Sequence, residues 1–482
     1  MYIHERKNLF HKPKPTSNPY LIMLILLCIV IVVAVMRDYA SGKIWPPFIP
    51  TPTPTRTVNS FLVEGDTHFQ AGNLDAAIES YNKAILLEPE NIDLRVKLAR
   101  IQVYSSASLT TDQERRERLA AALAVVDEAL ELSPYNADAL AVRSFVLNWS
   151  ANPDLAGDRT KELRNAAEAD ALAAIQLDSN NALAKAYYAE VLIDQFKWGQ
   201  AQDYIAQARE NGEHLMDVRR VQAFVYEVLR EYNLAIEWYQ KAIEVTPNLT
   251  FLYIRVGTLY RHNGGDVNFE IALEYFAKAA NLNSQLGIED PIPYMAIANT
   301  YIRMGEAMVA SRNAYRALSI NPYNPSTYGQ VGVIYYKARN YEGAEMVLKC
   351  AVSGCTAEES CLAREEDPCE SDITTEKLPL SDSTVVYYYI YGSVLAGLHR
   401  RGQDDRCALA SEVFKEIRER YFDTSNEFTR TVLGIVSASE NICGITPGQV
   451  FNTPVPTRDL ISTATPQPTE TPFIIPTHTP TP

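Results

Sequence analysis

The sequence has few of the residues and motifs on which catalysis is usually built. Its seven histidines are scattered at positions 4, 11, 68, 214, 262, 399 and 478. No HExxH pair places two of them on one helical face for zinc. There is no Walker-type phosphate loop, no GxGxxG turn and no GxSxG nucleophile elbow. The expectation is a chain that is not an enzyme and has no cofactor and no metal. Basic residues are also in deficit: 44 Lys and Arg against 59 Asp and Glu leave a formal net charge of −15. Phosphate backbones are bound by basic surfaces, so nucleic acid is excluded as the main partner.

Cysteine is nearly absent from the first 349 residues, where Cys28 stands alone. The other six, Cys350, Cys355, Cys361, Cys369, Cys407 and Cys443, crowd into the last third. An even number suits disulfides in an exported domain. Zinc is the competing reading, but spacings of 5, 6 and 8 among the first four offer no close Cys-x2-Cys pair, and no His lies near them. The pairing is left open, with a Cys350–Cys443 link among the alternatives. The expected role is to pin a long insertion, 350–384, whose acidic residues lack EF-hand spacing and read as a solvated, stapled loop.

Only one long apolar run is present. Tyr20 to Met36 carries no charge in 17 residues. That nearly spans a bilayer core at about 1.5 Å per residue. Arg6, Lys7, Lys12 and Lys14 precede it and Arg37 and Lys43 follow, so the N-terminus is expected in the cytoplasm and the rest outside. The alternative is a cleaved signal, with a weak site at Val32–Ala34, and a secreted product.

Proline is plentiful but uneven. Its 27 residues cluster at 47–54 and again from 447 onward. Trp45 to Thr57 should be extended and stiff, because proline lacks a backbone donor and restrains the residue before it. Thr446 to Pro482 has too little apolar periodicity for a core and is expected to be disordered.

Between these stretches one spacing recurs. Gly65, Ala77, Tyr81, Ala84 and Pro89 lie 12, 4, 3 and 5 apart. The same spacing returns at Ala223, Ala235, Tyr239, Ala242 and Pro247, and at Ala298, Ala310, Ala314, Ala317 and Pro322. Variants start at Ala189 and Gly332, and copies with a stretched middle are centred on Ala122, Ala167 and Ala272. A degenerate last copy lies near Gly392, Ala410 and Phe414. Small residues 12 apart fall on two helices that meet closely, and the larger residue four later fills the gap between them. Each unit is thus an antiparallel helix pair that must stack on neighbours to bury its apolar face.

This pattern resembles the tetratricopeptide repeat (TPR) family over about residues 58–422. The implied fold is all-α, a right-handed superhelix of about nine helix hairpins preceded by one transmembrane helix. Copies two and three carry extra residues around "SSASLTTDQER" and "SANPDLAGDRT", expected as longer helices or protruding loops. Phe428 to Glu440 reads as a capping helix. The expected layout is a cytoplasmic segment 1–19, a transmembrane helix 20–36, a linker 37–57, a solenoid 58–444 and a tail 445–482.

The resemblance implies that the first helix of each repeat lines a concave groove for a protein or peptide. Carried onto this chain, the groove would present Tyr187, Glu190 and Asp194, then Arg220, Phe224 and Glu227, then Arg255, Thr258, Arg261 and His262. Repeats seven and eight would add Asn299, Arg303, Gln330, Tyr336 and Lys337. Arg with Tyr and Phe is the composition of binding hot spots and suits an acidic or extended segment. Alternatively, the same Arg residues pair with neighbouring Glu along the solenoid. The function expected is a membrane-anchored interaction scaffold contacting lipid through its N-terminal helix. The alternatives are a surface or wall-structural protein working through its Thr/Pro tail, and an accessory subunit of an envelope enzyme complex.

Overall fold

A computed structural model describes residues 18–41, 56–109, 111–366, 368–400 and 402–444. The Pro-rich stretch at 42–55 and the tail at 445–482 lie outside the described residues. Two units are distinguished, Met1–Arg56 and Thr57–Pro482. The first contains helix α1 (Pro19–Ala40), whose large apolar side chains from Tyr20 to Met36 are exposed. It is long and apolar enough to cross a membrane, a description that a signal sequence also meets.

The second unit is built of helix pairs. They are α2 (Val58–Gln70) with α3 (Leu74–Leu87), and α4 (Ile92–Ser106) with α5 (Asp112–Leu132). Next, α6 (Ala137–Ser150) and the short α7 (Pro153–Ala156) lead to α8 (Thr160–Leu177). Then come α9 (Ala182–Asp194) with α10 (Trp198–Gly212), α11 (Met216–Val228) with α12 (Tyr232–Val245), and α13 (Thr250–Asn263) with α14 (Asp266–Leu286). The series continues with α15 (Ile292–Met304) and α16 (Ala307–Ile320), then α17 (Pro325–Lys337) and α18 (Tyr341–Val352). A short α19 (Ala357–Ala363) interrupts it before α20 (Val385–Leu398) and α21 (Arg406–Arg420), and α22 (Glu427–Ile442) ends it. Among the described residues this makes nine pairs and a terminal helix, with one isolated β-bridge, Cys355 to Thr375. The extra residues of copies two and three give a longer helix, as expected, and in copy three a short additional helix in place of a protruding loop. They lengthen α5, which begins on a Thr111–Glu114 capping box, and they fold as α7.

Local chemistry explains where helices start. Asn91, Asn136 and Asn181 open the first helix of repeats two, three and four, each side chain accepting from the backbone N–H three residues on. The packing explains the small residues. A Cβ on Gly65 would lie 2.9 Å from the Tyr81 ring, and one on Gly257 would lie 2.6 Å from Phe276. On Gly332 it would meet Leu348 at 2.4 Å, and on Gly392 Phe414 at 2.3 Å. The aromatic or aliphatic residue of the second helix thus occupies the volume that a side chain on the first would need.

All six clustered cysteines are bonded, as Cys350–Cys355, Cys361–Cys369 and Cys407–Cys443. This corrects the expected role in part. Two bridges lie in the insertion, but the third ties α21 to α22, because folding brings the cap against the last repeat. Cys350 therefore does not reach Cys443. The acidic loop is likewise used internally: Glu359 pairs with Lys349 and Glu366 with Arg364.

Replacing Gly392 by Leu should lower the unfolding free energy by about 1–3 kcal/mol or more, since nothing near Phe414 can yield that volume. Gly199→Leu, where an added Cβ meets nothing within 4 Å, should leave stability unchanged or slightly raised. Denaturant unfolding followed by circular dichroism compares the two.

Candidate functional site

The first helices of repeats two to five, α4, α6, α9 and α11, converge on a polar interior. At its centre Asp217 has no solvent exposure. Its carboxylate accepts from Arg100 Nε at 2.9 Å, from a second Arg100 nitrogen, and from the hydroxyls of Tyr104 and Tyr187. Beside it, Arg220 donates to both oxygens of Glu190, at 2.9 Å and 2.5 Å, and Trp149 Nε1 donates to the same carboxylate at 3.1 Å. The Arg220 guanidinium lies 5.4 Å from the Phe145 ring centre, and Phe145 stacks on Tyr187 at 4.4 Å. Farther along, Arg255 pairs with Glu227, which also accepts from Tyr239 at 2.9 Å.

Two opposed effects act on Asp217. Burial alone would raise its pKa, but the charge and hydrogen bonds of Arg100, with those of Tyr104 and Tyr187, bring it down to about 2. Arg100 is correspondingly held in its charged form against its own burial. A depressed carboxylate contributes stability above its unfolded value, near 3.8, and loses it as pH falls through about 2. The interior therefore remains ionised throughout the neutral range.

These placements decide what the predicted groove residues do. Tyr187, Arg220, Phe224, Arg255 and Arg261 are all buried. Arg261 donates to the Ala296 carbonyl at 3.2 Å. Arg220 and Arg255 thus take the second of the two arrangements open to them: they pair with Glu190 and Glu227, themselves expected on the groove face. The expectation that they line an accessible face is corrected accordingly. In repeats seven and eight the chain differs. Asn299 and Tyr336 are half-buried, while Arg303 and Lys337 are exposed. Arg303 donates to the Arg261 carbonyl at 3.3 Å, and the Tyr336 ring lies 5.8 Å from that of Tyr341. Sequence reasoning missed Arg100, Tyr104, Trp149 and Asp217. The available signal was a charged residue in the inward phase of its helix, Arg100 in α4 and Asp217 in α11.

Curvature also brings the first repeats against later ones. Gly72, in the α2–α3 turn, has φ +79°. A Cβ there would lie 2.3 Å from the Asn248 carbonyl oxygen. Asn248 Nδ2 donates to the Gln70 carbonyl at 3.3 Å, and Tyr104 stacks on Phe251 at 5.6 Å. The seam encloses a cavity of about 50 Å³ lined in part by Leu74, Ala107, Phe251 and Asp290. That holds a water or two, whereas small-molecule sites run from about 300 Å³. Asp290 is buried there, accepting from Ile292 N–H and Asn283 Nδ2, each at 2.9 Å. Burial raises its pKa to about 7 against those hydrogen bonds and the charge of Arg115.

Comparison with known proteins places two segments of this architecture. The TPR repeat family matches residues 65–103, and the tetratricopeptide repeat family matches residues 222–249. The chain therefore carries tetratricopeptide repeats, a class of helix-hairpin units characteristic of protein-interaction scaffolds. No curated protein matches the sequence. Among solved structures, it is similar to TTC0263, a thermophilic TPR protein in Thermus thermophilus, with 20% identity and a TM-score of 0.34. That similarity covers 42% of this chain and 98% of the other. It is similar to Pseudomonas aeruginosa pilF at 16% identity and TM-score 0.33, over 51% of this chain and 98% of that one. A tetratricopeptide repeat protein from Parabacteroides merdae is 17% identical with TM-score 0.31, over 59% and 99% of the two chains.

The interior generates two expectations. Asp217→Asn should lower the unfolding free energy by about 3–5 kcal/mol, because Arg100 then loses its buried counter-ion. Asp290→Asn should act in the opposite sense and depend on pH. A carboxyl whose pKa is raised in the fold stabilises below its unfolded value, and that contribution is lost as pH rises through about 7. The amide can keep the Ile292 bond, and Asn283, whose Oδ1 has no partner, can reverse to accept from it. Its gain over the parent should be up to about 4 kcal/mol at pH 8 and vanish near pH 4. Urea titrations at the two pH values measure this.

Proposed function

We propose that this chain is a single-pass, membrane-anchored scaffold that holds a partner protein or peptide and performs no catalysis. The observation that carries the reading is the pair of tetratricopeptide matches, at 65–103 and 222–249, within a continuous stack of helix pairs. The candidate face narrows on structural grounds. Tyr187, Arg220, Phe224, Arg255 and Arg261 of repeats four to six are buried, so of the candidate groove residues the accessible ones are Asn299, Arg303, Tyr336 and Lys337 on repeats seven and eight. Two exposed cations and a half-buried tyrosine on these repeats suit an acidic, extended segment.

The helix and the bridges together support a location for the solenoid outside the cytoplasm. α1 is the anchor, the Lys and Arg residues before it set the N-terminus in the cytoplasm, and the solenoid 58–444 lies outside. The bonded cysteines support an oxidising compartment. A cleaved signal would leave the same solenoid secreted.

Two measurements test this. A photo-crosslinking residue at position 336 of the full chain, in native membranes, should yield one protein adduct. Arg303→Glu with Lys337→Glu should abolish it. No adduct, or one indifferent to those changes, would reject the face. Mass spectrometry of non-reduced membranes should recover a Cys407–Cys443 peptide. Free thiols there would instead place the repeats in the cytoplasm.

A further inference from the structure

Repeats one and two meet repeats six and seven along a seam whose partners lie far apart in sequence, 178 residues in the case of Gln70 and Asn248. That amide bond, the Tyr104–Phe251 stack and the close approach at Gly72 lie around the cavity of about 50 Å³. Both sides of the seam wall it: Asp75, Tyr104 and Ala107 from the first repeats, Leu249, Phe251 and Asp290 from the later ones.

Asp290 differs from other buried carboxylates of the solenoid. Asp170, Glu190, Asp217 and Glu440 each accept from two nitrogens of one arginine, respectively Arg143, Arg220, Arg100 and Arg418. Asp290 is 5% exposed, and among the described residues no Lys or Arg stands at ion-pair distance from it. Its donors are neutral, Ile292 N–H and Asn283 Nδ2, and both come from its own side of the seam. Asn283 Oδ1 has no partner, so a reversed amide can accept from the O–H of a neutral Asp290.

The charges of the surrounding elements are engaged elsewhere. On α5, Arg115 acts on Asp290 from beyond contact, and it donates to the Leu109 carbonyl at 3.0 Å and to Asp112 at 3.4 Å. Glu114 of α5 and Asp154 of α7 act on the same guanidinium. On α3, Asp75 pairs with Arg118 at 3.0 Å, and on α4 the Tyr104 hydroxyl donates to Asp217. The start of α13 brings Thr250, Phe251 and Ile254 to the cavity and no charge. Beside Asp290, Glu289 is exposed. None of these is the contacting counter-ion that an ionised carboxylate in this place needs.

We propose that the seam is a proton-controlled latch: it is closed while Asp290 is neutral, and ionisation of Asp290 opens it by drawing the carboxylate from the cavity wall into water. The sign follows from burial. With its pKa raised from 3.8 to about 7 in the closed seam, the carboxyl supports closure fully below the lower value, and that support is lost as pH rises through the higher one. The opening is local. Asp217 stays ionised and paired over the same range, so the first helices of repeats two, four and five remain tied while the turns of repeats one and two lift from the joints at 248 and 290. The latch does not depend on which partner the scaffold holds.

The test uses the full chain in detergent with Cys28→Ser, which removes the one unbonded cysteine among the described residues. Ala107→Cys sets a thiol in the cavity wall, at a position 3% exposed. Its rate with a neutral methanethiosulfonate reagent is divided by that of Gly199→Cys, which stands in the open, so the titration of the thiol itself cancels. Between pH 5 and pH 8 the ratio should rise at least about tenfold, under a ceiling of roughly a hundredfold set by the two pKa values, and level off above that. With Asp290→Asn it should stay at its pH 5 level. Asp290→Ser is a second neutral variant should the amide disturb the helical circular dichroism. Ala344→Cys, buried in repeat eight, should show no rise. A flat ratio in the parent overturns the latch, and so does a rise that survives in the neutral variants. A rise shared by Ala344→Cys also overturns it, by assigning the effect to loosening of the whole solenoid.

Discussion

Asp217 receives an arginine and two tyrosine hydroxyls inside a protein interior without exposure to water, and the arrangement of the first five repeats turns on this contact. Its donors come from α4 and α9 while the carboxylate sits on α11, so three repeats are tied at one point. Leaving a charge buried is costly unless it is paired and hydrogen-bonded, and four donors from three side chains meet that requirement. The neighbouring Arg220–Glu190 pair extends the arrangement to the ring faces of α6. Apolar packing alone would let helix pairs slide by small amounts at little cost. Directional bonds across three repeats hold a single angle of approach.

That angle has consequences at a distance. With the first helices drawn together, their inner face becomes interior and the usual groove is filled by the chain's own side chains. The ribbon then closes enough for Gly72 to abut Asn248, and only a residue without Cβ fits there. The conformational freedom of glycine and the absence of its side chain are both used at this position, one for its positive φ and the other for the close approach. The later repeats are outside this constraint. Their inner-face residues, Arg303 and Lys337 among them, reach the surface, and the cap is secured by Cys407–Cys443 and by Arg418 on α21, which donates to both oxygens of the buried Glu440 on α22.

Much of the fold was legible because it is written in short-range spacing. Gly65 with Tyr81 and Gly392 with Phe414 are complementary shapes on two helices joined by a tight turn, and their separation in sequence predicts their contact. The lengthened second and third repeats and the terminal helix were readable on the same ground. The candidate site was less so. Arg220 and Arg255 could be assigned to the inward phase of their helices, yet phase does not say whether that side faces a partner or another helix of the same chain. Cysteine pairing was closed to sequence reasoning for a similar reason, since Cys443 meets Cys407 only once the cap has folded back.

The sequence by itself determined the helix pairs, their number, their small-residue contacts and the apolar helix before them, because each depends on residues within one repeat or its neighbour. Tertiary structure decided the curvature, and with it which charges are spent inside and which reach the surface. The physical reason is separation: Arg100 and Asp217 are 117 residues apart. No local periodicity encodes that they meet. Their contact exists only as the sum of many small rotations between successive repeats.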